Sequence, residues 1–118
     1  MQKETGMAGW QITVTTQTPE EWNRNHDRDT ILATWTTGAS GIRPFEELLK
    51  TGDTVLLRSD GYPRIYSANA RHILPAVRAV PDMASAAIVK AWYVTMHPSV
   101  IDTCPPDQRL TIVAWDQS

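Results

Sequence analysis

Four arginines lie close together in the middle of this chain, Arg58, Arg64, Arg71 and Arg78, with Tyr62, Tyr66 and His72 between them. Guanidinium groups take carboxylates and phosphates through paired hydrogen bonds, and aromatic rings stack on bases. The chemistry on offer is anion binding by Arg58, Arg64, Arg71 and Tyr66, and in its sharpest form a face for single-stranded RNA or a nucleotide. A solvated strand face needs polar residues too, so the same pattern also serves a bland surface. Under strict strand alternation Arg64 and Tyr66 share one face, and Arg58 joins them only if the hairpin register allows it.

A second set is apolar. Trp35, Trp92, Tyr93, Met96 and Trp115 come from separate segments, and indoles with a phenol and a thioether could wall a cleft for a small ligand. They would equally build a core, and Trp115, near the end of the chain, would suit a subunit contact. His26 with Asp27 and Asp29 resembles a fragment of a metal or acid/base site, although a solvated charged connector has the same composition. His72 and His97 stand apart from it. Either of them, or His26, with an aspartate would be the dyad of a small hydrolase or isomerase. Cys104 sits beside two prolines, with nothing in its neighbourhood to lower its pKa and make it a nucleophile. No GxGxxG, GxSxG, phosphate-loop or HExxH pattern occurs, so no catalytic residue, metal site or cofactor is assigned.

These side chains must be held by a small scaffold. A chain of 118 residues has room for one domain, 1–118, and one core. No apolar segment of about 20 residues exists to span a membrane. The single cysteine allows no internal disulfide, which fits a reducing, cytoplasmic setting. Net charge is −2, which argues against a protein that coats nucleic acid. Between Thr54 and Val80, however, four arginines face one aspartate, a local +3 that leaves −5 elsewhere. Fourteen threonines and five tryptophans push the expectation toward strand.

Gly9 to Thr15 alternates, with Trp10, Ile12 and Val14 on one face and Gln11, Thr13 and Thr15 on the other, as a half-buried strand does. Thr18-Pro19-Glu20-Glu21 spells a capping box that opens a short helix. Asn23 to Asp29 holds no apolar residue and is expected as an exposed loop. Thr30 to Thr37 is expected as a strand. Pro44, Glu46 and Glu47 suit the first turn of a helix that Gly52 stops. Thr54 to Arg58 and Pro63 to Ser67 then form a hairpin around Ser59-Asp60-Gly61. The order from Gly52 to Ser67 faintly resembles a piece of small RNA-binding barrels of the PUA-like kind, but it is too short and common to assign a family.

From Ala68 to Val80 two conformations compete. Ala70, Ile73, Leu74 and Val77 have helical spacing, whereas Pro75 favours either a kink or an extended run ending in a single turn. Ala86 to Met96, rich in bulky and β-branched residues with Lys90 as its only charge, is expected as a long central strand. A proline-stiffened loop through Cys104 leads to a last strand, Leu110 to Trp115.

The expected fold is therefore α+β: a mostly antiparallel, strongly curved sheet of five to six strands, a partly open barrel, with one or two short helices. The expected function is a non-catalytic binding module for a small ligand or protein partner, with nucleic-acid binding and a small hydrolase or isomerase as the alternatives. Self-association, most simply as a dimer, is expected, with the C-terminal strand pairing across a two-fold axis and residues 1–8 forming an arm on a neighbouring subunit.

Overall fold

A computed structural model describes residues 9–38, 43–52, 54–58, 64–86 and 94–116. In chain order these form β1 (Gly9–Thr15), α1 (Pro19–Arg24), a 3-10 turn (Arg28–Thr30), β2 (Ile31–Gly38), α2 (Arg43–Thr51), β3 (Thr54–Arg58), β4 (Arg64–Asn69), α3 (Ala70–Ala86), β5 (Val94–Met96), α4 (Pro98–Thr103) and β6 (Arg109–Asp116). The six strands make one sheet in the order β3-β4-β6-β1-β2-β5, with every neighbouring pair antiparallel. The protein is thus α+β, with an open sheet whose edges are β3 and β5. Among the described residues there are four α-helices, more than the one or two the sequence suggests.

Local signals explain most of these elements. The Thr18 hydroxyl accepts from the Glu21 amide at 3.1 Å, and the Glu21 carboxylate accepts from the Thr18 amide at 2.8 Å, so the capping box closes as its spacing requires. The helix buries Trp22, whose indole stacks on the exposed His26 ring at 4.0 Å and 9°. Beyond it a polar web replaces apolar packing. The Gln17 carboxamide donates to the Asn25 carbonyl and accepts from the Asp27 amide, and the Thr30 hydroxyl donates to the Asp27 carbonyl at 2.6 Å. With its proton committed there, Thr30 must accept from the Thr15 hydroxyl, 2.7 Å away. Gly52 ends α2 at φ 84°, the left-handed value that favours glycine.

One long-range alternative is decided and one expectation is overturned. Ala70 to Ala86 is a helix that runs through Pro75, with Ala70, Ile73, Leu74 and Val77 buried along one stripe. Pro75 withdraws one amide from the ladder and frees the Arg71 carbonyl. Both residues lie on the exposed side of the helix, away from the packed stripe. The helix start is tied down by the Ala70 and Arg71 amides, which donate to the Gln108 and Pro106 carbonyls at 2.8 and 3.0 Å. The expected long central strand from Ala86 to Met96 fails at both described ends: Ala86 closes α3, and Val94–Met96 lies at the sheet edge beside β2. The segment between, 87–93, lies outside the described residues, as do the 1–8 arm and the turn at 59–63.

Register sorts the sheet into two faces. Trp10, Ile12 and Val14 of β1 lie level with Thr37, Trp35 and Ala33 of β2 and with Asp116, Ala114 and Ile112 of β6. Arg64, Tyr66 and Ala68 of β4 continue this face through Ala114, Ile112 and Leu110. It is the face that packs against Phe45 of α2 and against Ile73, Leu74 and Val77 of α3 in one buried cluster. Burying each large side chain of this kind contributes about 1.5–3 kcal/mol, so this layer holds the fold together. The opposite face carries Gln11, Thr13, Thr34, Thr111, Ser67, Ile65, Val113 and Trp115.

Candidate functional site

The sequence-predicted residues do not stay together. Trp35 is buried on the helix-covered face, with Met96 partly buried on the same face opposite Ala33. Trp115, 40% exposed, stands opposite Gln11 on the other face, so Trp35 and Trp115 share no wall. Trp92 and Tyr93 lie outside the described residues. Among the anion-binding candidates, Arg64 and Tyr66 share a face as alternation requires. A bulge after Leu56 sets Arg58 opposite Ile65, out of step with both, and Arg71 is exposed at the start of α3. Arg78 pairs with Asp102 at 3.6 Å.

What gathers instead is a constellation around Arg64. Ala114 faces Arg64 on β6, and its methyl group is small enough for the arginine to reach over the strand toward β1. There the guanidinium lies 5.3 Å from the Trp10 ring centroid. Its Nη1 donates to Glu46 Oε2 at 2.7 Å, and Glu46 sits in the first turn of α2, where the helix dipole also favours a carboxylate. Both side chains are partly exposed, 33% and 43%, so the ion pair contributes about 0.2–1 kcal/mol. The cation–π contact adds about 0.5–1 kcal/mol. Together they fix the direction of Arg64 more than they stabilise the fold.

Behind Arg64 runs a row of rings. Tyr66 meets Phe45 at 6.0 Å and Phe45 meets Trp35 at 6.3 Å, each tilted by about 35° in the manner aromatic pairs prefer. The Tyr66 side chain is fully buried, and its hydroxyl has no hydrogen-bond partner; the same is true of the Thr54 hydroxyl. Thr54 faces Ala68, two residues from Tyr66 on the same face. An unpaired buried hydroxyl costs about 1–3 kcal/mol. That exceeds what the exposed ion pair returns, which singles the two hydroxyls out.

Electrostatics couple the row to Arg64 and Glu46. Burial pushes the Tyr66 phenol above its ordinary pKa, while the Arg64 guanidinium pulls the other way and Glu46 adds to the rise. The Tyr66 hydroxyl is in turn the largest influence raising the Arg64 pKa, opposed by burial and helped by Glu46. The Arg64 guanidinium and the Tyr66 Oη act on each other chiefly through a hydrogen-bonding approach that falls short of a well-formed bond, with their charges adding to it. The site therefore offers a fixed cation and a neutral phenol with unused hydrogen-bonding capacity.

The remaining candidates are structural where their contacts are known. His26 stacks on Trp22, and Asp27 caps the 3-10 turn by accepting from the Asp29 amide at 3.0 Å. The His97 amide donates to Leu32, and its carbonyl accepts from Val100 and Ile101 at the start of α4. Burial raises the Cys104 pKa and keeps it a thiol. Among the described residues no three metal-ligating side chains come together. Sequence reasoning missed Trp10, Glu46, Phe45 and Thr54 as neighbours of Arg64 and Tyr66. Alternation alone turns Trp10 inward, but only the placing of β6 between β4 and β1 brings it to Arg64. No protein-family model, curated protein or solved structure matches this chain.

Proposed function

We propose that the protein is a non-catalytic binding module for a small ligand, taken where Arg64, Trp10 and Tyr66 converge between α2 and the sheet. The observation that carries this is the buried Tyr66 hydroxyl without a partner, set beside a guanidinium already aimed by Glu46 and Trp10. A ligand group that accepts hydrogen bonds, a carboxylate or a carbonyl, would satisfy the phenol and gain charge assistance from Arg64. The Phe45 and Trp35 rings behind it would favour a flat apolar body.

A cytoplasmic setting and self-association go with this proposal. The lone Cys104, a free thiol, is in keeping with a reducing compartment. Among the described residues no helix is long and apolar enough to cross a membrane.

The test is a panel of small aromatic and aliphatic carboxylates and amides, read by thermal shift and tryptophan fluorescence. A binder should stabilise by mass action, about 2.7 kcal/mol at a hundred times its Kd. Tyr66→Phe should weaken it about tenfold, the equivalent of one hydrogen bond of about 1.4 kcal/mol. Binding that survives both Tyr66→Phe and Arg64→Met unchanged would place the ligand elsewhere.

A further inference from the structure

The Tyr66 hydroxyl is buried without a partner, so a ligand group can reach it only if an element packed over it moves. The strands are not free to lift. β4 is laddered to β3 and β6, and the C-terminal strand β6 lies inside the sheet between β4 and β1, with no edge to offer a second copy either. α3 is held at Ala70, Ile73, Leu74 and Val77, and its first two amides are tied to the Gln108 and Pro106 carbonyls. α2 is held more lightly. It buries Phe45 in its first turn, Leu48 and Leu49 are only partly buried, and its ion pair to the sheet, Glu46 with Arg64, is partly exposed. That same first turn lies beside the phenol: the Phe45 ring meets the Tyr66 ring at 6.0 Å, and the Glu46 charge acts on the hydroxyl.

Glu46 also stands where a ligand carboxylate would be drawn. Its Oε2 accepts from Arg64 Nη1 at 2.7 Å, so the pair carries no net charge, and an anion brought beside it would meet a like charge. Glu46 nevertheless leaves the Tyr66 hydroxyl unsatisfied. Arg64, for its part, does not depend on α2 for its direction. Trp10, whose ring centroid is 5.3 Å from the guanidinium, belongs to β1 and stays in place if α2 moves.

We propose that α2 is a lid and Glu46 its latch, a built-in competitor for the ligand: the first turn of α2 lifts, Glu46 leaves Arg64, and a ligand carboxylate takes its place on the guanidinium while accepting from the Tyr66 hydroxyl. This rests on the binding function proposed above and adds its regulation. The exchange has a direction, because a ligand carboxylate keeps the charge-assisted bond that Glu46 gives up and gains the phenol's bond as well. Its cost is the fraction of molecules in which the latch is closed, which lowers the apparent affinity by that fraction. An exposed ion pair is a suitable latch, since it biases the lid without locking it.

Two measurements on the full chain test this. Amide hydrogen exchange should show residues 47–51 of α2 opening at least about tenfold more often than residues 74–77 of α3, because the lid opens without global unfolding. Exchange of the two helices at one common rate overturns the lid. Benzoate and benzamide, from the panel above, are then titrated against wild type, Glu46→Gln and Arg64→Met. Glu46→Gln should tighten benzoate by up to about fivefold, the span of an exposed ion pair, and benzamide by less, while Arg64→Met should abolish the benzoate gain. A Glu46 that merely aims Arg64 would give the opposite sign. Benzoate binding that Arg64→Met removes but Glu46→Gln leaves unchanged or weakens therefore overturns the latch, and the binding function stands. No thermal shift with any carboxylate or amide of the panel, in wild type or Glu46→Gln, overturns the binding function and the latch with it.

Discussion

Tyr66→Phe removes one oxygen atom from a site where it has no hydrogen-bond partner. In most proteins deleting a buried hydroxyl destabilises, because a bond worth about 1 kcal/mol is lost. Here the folded state already bears the desolvation cost of the phenol, about 1–3 kcal/mol, which phenylalanine would not. Against that gain stand a few lost van der Waals contacts of about 0.1–0.2 kcal/mol each, together with the favourable interaction of the phenol dipole with Arg64. The balance is a variant as stable as the wild type or more stable by up to about 2 kcal/mol. Urea denaturation measures it, with the m-value unchanged if the fold is kept. Thermal melting should move the same way, by about 4 °C for each kcal/mol in a chain of this size. Thr54→Val should share the sign, since that hydroxyl is unpaired too. A loss of 1 kcal/mol or more in Tyr66→Phe would refute the reasoning, because it would mean the hydroxyl is satisfied in the folded protein. The ligand site proposed around it would then lose its principal support.

Arg64→Met removes the ion pair to Glu46 and the contact with Trp10, and should cost about 1–2 kcal/mol in chemical denaturation. Lysine should recover little of it, since the planar fork that lies over the indole is lost. Alkaline pH should expose the raised pKa of Tyr66. Above about pH 10 an unfolded tyrosine ionises while the buried phenol keeps its proton. The folded state then binds more protons than the unfolded one, so stability present below that pH falls as pH climbs toward the folded pKa. Titrated side by side in urea, Tyr66→Phe should lack this part of the decline. Gly52→Ala should cost about 1–2 kcal/mol through the backbone alone, because φ is 84° and a Cβ there would meet nothing within 4 Å. Asparagine at the same place should cost less, which equilibrium unfolding of the two variants would show.

Signals that act within a few residues were legible from the chain itself. The Thr18 capping box, the Gly52 stop, the alternation of Gly9 to Thr15 and the Thr54–Arg58 hairpin strand all depend on bonds or dihedrals settled between near neighbours. The pairing of Arg64 with Tyr66 on one face follows from the two-residue period of a strand in the same way.

Ala70 to Ala86 was decided from further away. Its conformation turns on whether Ile73, Leu74 and Val77 find a buried layer to pack on, and that layer is built by strands distant in sequence. Packing of that stripe outweighs the bond lost between Pro75 and the Arg71 carbonyl on the exposed side of the helix, and the described residues from Val94 to Met96 form a strand at the sheet edge. The meeting of Arg64 with Trp10 depends in turn on β6 lying between β4 and β1 with the small Ala114 beneath the guanidinium. Strand order is set by the summed burial of a whole sheet face, a quantity no single segment contains. The residues of the site were therefore written in the chain, while their being neighbours was a property of the fold.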